Sequence, residues 1–234
     1  MSSRSGITPR NSIATMSRRH EALDSLDDFP TPPWATRAVI DHLKRRGVPV
    51  GGVVAEPCAN RGYMVRPLWE AFDTVIASDV HDYGMGYEVR DYLDGKPKPP
   101  VDWTFINPPF NEALAFIQEA LLTSTVGVAA FLRLSFLETQ ERYRDLYAAN
   151  APSRVIIHSD RVVIHKGRVP SPNVKEAVID PKTGQTVMRA PTTATAYCWL
   201  IFERGNTRHT TLEWLPPSRR LFEQPDDYTP HGEQ

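Results

Sequence analysis

The apolar stretch Trp103-Thr104-Phe105-Ile106 runs straight into Asn107-Pro108-Pro109-Phe110. Proline has no N–H to give to a ladder, so two in succession end a buried strand there and leave the carbonyls of Asn107 and Pro108 few alternative directions. An asparagine carbonyl followed by a rigid backbone carbonyl is a pair of acceptors suited to an amino group. Phe110 adds an aromatic face beside them, which suits stacking on a flat ring.

Around this turn, short apolar runs alternate with helical patterns in the order of an open α/β sheet. Strands are expected at Val53-Val54-Ala55, Thr74-Val75-Ile76-Ala77, Trp103 to Ile106, Val126 to Leu132, Val155-Ile156-Ile157 and Ala196 to Phe202. Helices are expected at about 63–72, 112–123 and 138–149, after a first helix that Thr31 would cap, with Pro32 and Pro33 in its first turn and Gly47 at its stop. Residues 1–28 read as a disordered N-terminal tail, with arginines and no acid up to residue 20 and then Glu21, Asp24, Asp27 and Asp28. Residues 29–214 read as one domain, with an irregular insertion at about 165–194, and 215–234 as an extended C-terminal tail. No run of about 18 apolar residues exists to cross a bilayer. Cys58 and Cys198 are too isolated for a disulfide framework or a paired zinc site, so no metal is expected, and a reducing, cytoplasmic setting is.

Two further segments carry chemistry. Glu56-Pro57-Cys58-Ala59-Asn60-Arg61-Gly62 follows the first strand as a small-residue turn. In open α/β sheets ligands bind beyond the carboxyl ends of the strands, where small residues let backbone amides approach closely. The turn has neither the three-glycine dinucleotide spacing nor the Gly-Lys-Ser/Thr of a phosphate loop. The next strand ends at Ser78-Asp79, where an acid can accept hydrogen bonds from both hydroxyls of a ribose.

Taken together, these residues resemble the class I S-adenosylmethionine-dependent methyltransferases, and within them the amino-methyltransferases that modify the exocyclic N6 of adenine in DNA. Their Asn/Asp-Pro-Pro-aromatic hallmark matches Asn107-Pro108-Pro109-Phe110, and their acid-to-glycine first motif resembles Glu56 to Gly62. Asp79 resembles the acid ending their second strand, Asp91-Tyr92-Leu93 the segment cradling the cofactor's adenine, and Phe29-Pro30-Thr31-Pro32-Pro33 the Thr-Pro motif packed on its methionine end. The resemblance covers about 29–203. It implies a Rossmann-like, seven-stranded mixed sheet with helices on both faces. It also implies S-adenosylmethionine held by Thr31, Pro32, Glu56, Pro57, Cys58, Ala59, Gly62, Asp79, Asp91 and Tyr92, and catalysis by Asn107, Pro108, Pro109 and Phe110. The cofactor turn departs from many relatives in having one glycine, so close approach must rely on Ala59 and Asn60. No separate target-recognition domain of the usual size follows the catalytic region.

DNA is the expected partner, contacted by Phe110, by Arg133 at a strand end, and by Lys166, Arg168 and Lys175 of the insertion, with Lys182 nearby. The same turn also serves enzymes acting on RNA amino groups or protein glutamine, and a catalytically inactive nucleic-acid-binding module is a third reading. Cys58 follows the first strand and not the fourth, so it reads as a small buried residue and not a cytosine-attacking nucleophile. Composition fits the enzyme reading. Six of the 21 prolines, at 30, 32, 33, 57, 108 and 109, fall in three site segments as rigid framing. The net charge of -1 hides a local imbalance, with six Lys+Arg against two acids over 161–190.

Overall fold

A computed structural model describes residues 27–180, 182–206 and 209–229. The expected tail at 1–28 therefore lies outside the described residues as far as 26.

Each apolar run becomes a strand whose alternate side chains feed the two sides of one sheet. The strands are β1 (Val53–Glu56), β2 (Thr74–Asp79), β3 (Glu88–Val89), β4 (Val101–Ile106), β5 (Ser124–Arg133), β6 (Arg154–His158), β7 (Glu176–Ile179), β8 (Thr186–Arg189), β9 (Tyr197–Glu203) and β10 (Thr211–Leu215). The helices are α1 (Pro33–Arg45), α2 (Val65–Trp69), α3 (Ala113–Thr123), α4 (Gln140–Arg142), which continues into a π-turn at Tyr143–Tyr147, and α5 (Arg219–Phe222). The main sheet runs β10-β6-β9-β5-β4-β1-β2-β3. All its pairs are parallel except those of β9, which is antiparallel to both β5 and β6. The sheet thus has eight strands where seven were expected. The two outermost, β3 and β10, are short edge strands that none of the six apolar runs announced.

On one face of the sheet Trp103, Phe105, Phe131 and Trp199 pack beneath α1 and α2. On the other, Ile106, Val128, Ala130, Leu132 and Leu200 pack against α3. Neighbours on one strand, such as Phe105 and Ile106, enter different cores because strand side chains alternate. Both are fully buried, each worth roughly 1.5–3 kcal/mol in area removed from water. Tyr197, Trp199 and Phe202 are core residues of β9. His158, also buried, accepts a hydrogen bond from Trp199 Nε1 at 3.1 Å, and burial pulls its pKa down to about 4.

Two expectations are corrected. The 165–194 stretch is not irregular throughout, because β7 and β8 form a separate antiparallel pair, closed by the Asp180 N–H bond to the Gln185 carbonyl at 2.8 Å. Four-residue strands are too short for their alternation to stand out in the sequence. The described part of the C-terminal segment is not extended either: Leu215 ends β10, α5 follows, and the chain folds back over α1. Arg37 of α1 holds this return, bonding both oxygens of the fully buried Asp227 at 2.8 and 2.9 Å and the Phe222 carbonyl at 3.0 Å.

The edge strand is secured by Glu213, which receives His42 Nε2 at 2.6 Å, Arg46 Nε at 3.0 Å and Arg154 Nη1 at 2.6 Å. Burial opposes its ionisation, but the bonds from His42 and Arg154 outweigh it and draw the pKa from 4.5 to about 2. A carboxyl that titrates lower in the fold than in the unfolded chain adds stability above the unfolded value and loses it as pH falls through the folded one. Urea unfolding across pH is therefore expected to show stability declining from about pH 4.5 towards 2, with a flatter decline in Glu213→Gln.

Candidate active site

The carboxyl ends of β1, β2 and β4 open onto one cleft. Its lining includes Phe29, Thr31, Glu56, Pro57, Cys58, Ala59, Asn60, Asp79, Tyr92, Asn107 and Pro109, so residues far apart in sequence share one wall. Three sheet strands place them there, since parallel neighbours end together and their turns emerge on the same side.

The turn after β1 is shaped by backbone geometry. Asn60 adopts φ +49° and Gly62 φ +78°. Asparagine is among the few residues that tolerate the left-handed region, so it takes the place of a second glycine. It is held there by its own side chain, which donates to Asp28 Oδ1 at 2.7 Å and accepts from the Arg61 N–H at 2.7 Å. Besides its positive φ, Gly62 leaves room for the Tyr87 hydroxyl, which a Cβ there would meet. Gly62→Ala is expected to cost more than about 1 kcal/mol, read as a lower denaturation midpoint.

Two acids define the electrostatics. Asp79 accepts the N–H groups of Asn60 at 2.9 Å and His81 at 3.0 Å, yet burial raises its pKa. Glu56, 2% exposed, is pushed well up by burial and then by Asp79, and its Oε2 has no partner. Thr31 Oγ1 is buried and unpartnered in the same cleft. The helix it was expected to cap begins instead from Pro32, with no side-chain cap. Two orphaned polar atoms in one cleft call for a ligand with hydrogen-bonding groups, since leaving such groups buried and unsatisfied costs about 1–3 kcal/mol each. The half-buried Cys58 thiol is pushed well up by burial beside Asp79 and Glu56, which keeps it protonated and unreactive.

Asn107 is oriented by a residue far away in the chain. Its Nδ2 donates to the Phe29 carbonyl at 2.7 Å. A carbonyl can only accept, so this contact decides which way the amide faces and leaves Oδ1 as the acceptor on the opposite side. Phe29 is itself pinned by two acids of the segment expected as a tail. Asp27 Oδ2 accepts the Phe110 N–H at 2.8 Å, and Asp28 binds Asn60 and Arg61, the latter at 3.0 Å. Asp28 is 5% exposed, and its carbonyl receives the Gly167 N–H at 2.8 Å. Asp27 and Asp28, expected as part of a tail, are the clamp of the site. Tyr63, Tyr83 and Phe116 also line the cleft, unsignalled by any sequence motif.

Several anticipated residues are elsewhere. Asp91 is buried, its Oδ1 accepting the Leu93 N–H at 2.8 Å, and Tyr92 reaches the cleft instead. Pro108 is buried, and neither it nor Pro32 nor Gly62 lines the cleft. Phe110 lies beside the cleft, tilted against Phe29 at 5.4 Å between ring centroids. The Arg133 guanidinium sits 3.5 Å from the Phe110 centroid. A cation over an aromatic face is attractive, so Arg133 packs on the ring. Lys166, Arg168 and Lys175 are on the insertion, not in the cleft. Among the described residues no cluster of three or more His, Cys, Asp or Glu could hold a metal ion, and no helix is long and apolar enough to cross a membrane.

No protein-family model matches the chain, and no curated protein matches it significantly. Among solved structures it is similar to the type I restriction-modification system methyltransferase subunit from Streptococcus thermophilus, at 12% identity and a TM-score of 0.56, over 88% of this chain and 51% of that one. The chain thus spans about half the length of that subunit. A putative RNA methyltransferase from Pyrococcus horikoshii matches at 15% identity and a TM-score of 0.47, over 84% and 99% of the two chains. The N-methyltransferase NodS from Bradyrhizobium japonicum matches at 12% and 0.43, over 76% and 98%. At these identities the likeness is one of fold: the chain has the Rossmann-like fold of class I methyltransferases.

Proposed function

We propose that the chain transfers a methyl group from S-adenosylmethionine to the exocyclic N6 amino group of adenine in DNA. The observation that carries this reading is the orientation of Asn107, whose Nδ2 is committed to the Phe29 carbonyl so that Oδ1 is the acceptor. Beside it, Pro108 and Pro109 restrict the direction of the next backbone carbonyl. Two acceptors with set directions suit the two protons of a planar amino group.

The amino nitrogen of adenine is a poor nucleophile because its lone pair is delocalised into the ring. Bonds from its protons to Asn107 Oδ1 and the Pro108 carbonyl draw the nitrogen towards tetrahedral geometry. They strengthen as positive charge develops there, which is stabilisation specific to the transition state. The cofactor supplies an electrophilic methyl on sulfonium. Glu56 and Thr31, with their unpartnered buried oxygens, would hold its amino-acid arm, and Asp79 its ribose hydroxyls, with Tyr92 against the base. The clamp made by Asp27 and Asp28 keeps Phe29, and through it Asn107, in place. The protein's contribution is position and a polar environment, and no covalent nucleophile is required of it.

DNA is favoured as the polymer by the leading Thr31-Pro32-Pro33 segment and the basic insertion. The shared fold with a restriction-modification methyltransferase subunit is consistent with that choice. The decisive experiment incubates the protein and labelled cofactor with methyl-free DNA, RNA and protein extract, and identifies the modified residue by mass spectrometry. N6-methyladenine in DNA is the expected product. Methyl-glutamine, or label confined to RNA, would reassign the substrate, and no transfer with intact cofactor binding would leave a binding module.

A further inference from the structure

The β7–β8 hairpin is a separate two-stranded sheet whose two faces differ in chemistry. Glu176 and Val178 share one face with Arg189 and Val187, and Ala177 and Ile179 share the other with Met188 and Thr186, as the register Ala177↔Met188 and Ile179↔Thr186 requires. The acids are on the first side and are neutralised there: Arg168 forms a two-bond pair with Glu176 at 2.7 Å, and Arg189 pairs with Asp180. Arg168, expected to contact DNA, and Arg189 are thereby spent on holding the hairpin together.

The second face is bare. Ile179 is 72% exposed and Met188 58%, and Val174 at the base is exposed too. No acid interrupts this face. The free cations are Lys175, immediately before β7, and Lys182 in the turn, both exposed and without an ion-pair partner among the described residues. An isolated hairpin is marginal in water, and exposed large apolar side chains on it mark a surface that is covered in use.

The segment that leads into the hairpin is anchored beside the cleft: the Gly167 N–H donates to the Asp28 carbonyl at 2.8 Å, and the backbone of Val169 pairs with the Tyr63 hydroxyl. Asp28 adjoins Asp27 and Phe29, which line the cleft together with Tyr63.

We infer that the Ile179–Met188 face of this hairpin docks in the major groove of duplex DNA, with Lys175 and Lys182 on the flanking phosphates. Charge complementarity selects a polyanion, and the apolar centre between two cations selects one with a groove and base edges. The B-form major groove admits a two-stranded ribbon, and thymine methyls offer apolar contact, whereas the major groove of A-form RNA is too deep and narrow. The inference rests on the reading of DNA as the polymer, but it concerns binding and needs no methyl transfer.

The test is fluorescence anisotropy of a labelled mixed-sequence DNA duplex titrated with the full chain at several salt concentrations. Ile179→Ser combined with Met188→Ser is expected to weaken binding at least about tenfold with the salt slope unchanged, because apolar contacts release no counterions. Lys175→Ala combined with Lys182→Ala is expected to make the slope of log K against log salt shallower by about 1.8, at about 0.9 per phosphate, and the double arginine variant to restore it. Unchanged affinity in the serine variant would overturn the proposal, as would an equal loss on duplex RNA. Loss of a concentration-dependent dimer in that variant, seen by sedimentation, would overturn it in favour of a second copy of the chain. A chain that methylates RNA or protein yet keeps this hairpin-dependent DNA binding would refute the proposed reaction and not the docking face.

Discussion

Asn107→Ala is expected to slow methyl transfer by at least about 100-fold while leaving cofactor binding nearly intact. The estimate follows from the cost of deleting one preorganised acceptor where charge develops, about 2.7–4 kcal/mol of transition-state stabilisation. The alanine variant also removes the 2.7 Å bond to the Phe29 carbonyl, so a second variant separates the two roles. Asn107→Asp keeps an acceptor but has no donor for Phe29, and its carboxylate would face that carbonyl. A loss confined to alanine assigns the effect to the acceptor, and a comparable loss in both assigns it to the tether. Single-turnover transfer with calorimetric cofactor binding reads both quantities. Turnover unchanged in Asn107→Ala would sink the mechanism.

The second large effect is on folding. Asp227→Ala removes the fully buried partner of Arg37, whose guanidinium is itself 7% exposed. Removing one partner of a buried ion pair typically costs about 3–5 kcal/mol, and the Arg37 Nη1 that bonds Asp227 would keep only the Phe222 carbonyl. Glu70 still bonds Arg37 Nε at 2.8 Å and Nη2 at 2.8 Å, but it is half-exposed and reaches a different edge of the guanidinium from Asp227. At about 2–4 °C per kcal/mol for a chain of this size, the thermal midpoint should fall by roughly 6–20 °C. Replacing both partners, with Arg37→Met and Asp227→Leu, should recover much of the loss, because the desolvation penalty disappears with the charges. A midpoint unchanged by Asp227→Ala would mean that the C-terminal return is not part of the cooperative fold.

The difference between these two sites marks what could be read in advance. Asn107, Glu56 and Asp79 follow apolar runs long enough to announce strands, and their spacing was legible because parallel strands deliver their turns to the same edge. The hairpin was missed since two four-residue strands interrupted by Asp180 to Gln185 show too little alternation to be told from a loop. The C-terminal segment was misjudged for a related reason. Its prolines and charges are those of a linker, and nothing local shows that Asp227 will meet an arginine 190 residues earlier.

By itself the sequence determined the rigid turn after β4, the alternation that builds a sheet with a core on each side, and the residue types available at the strand ends. These are consequences of backbone chemistry and periodicity, which act over a few residues. Only the tertiary structure decided how those residues are aimed. The Asn107 amide takes its direction from Phe29, 78 positions away, Asn60 holds its left-handed turn through Asp28, and Phe110 is stacked by Arg133 rather than left open. Such contacts join segments that are adjacent solely in the folded chain, where the partner of each polar group is set by packing and burial rather than by its neighbours in sequence.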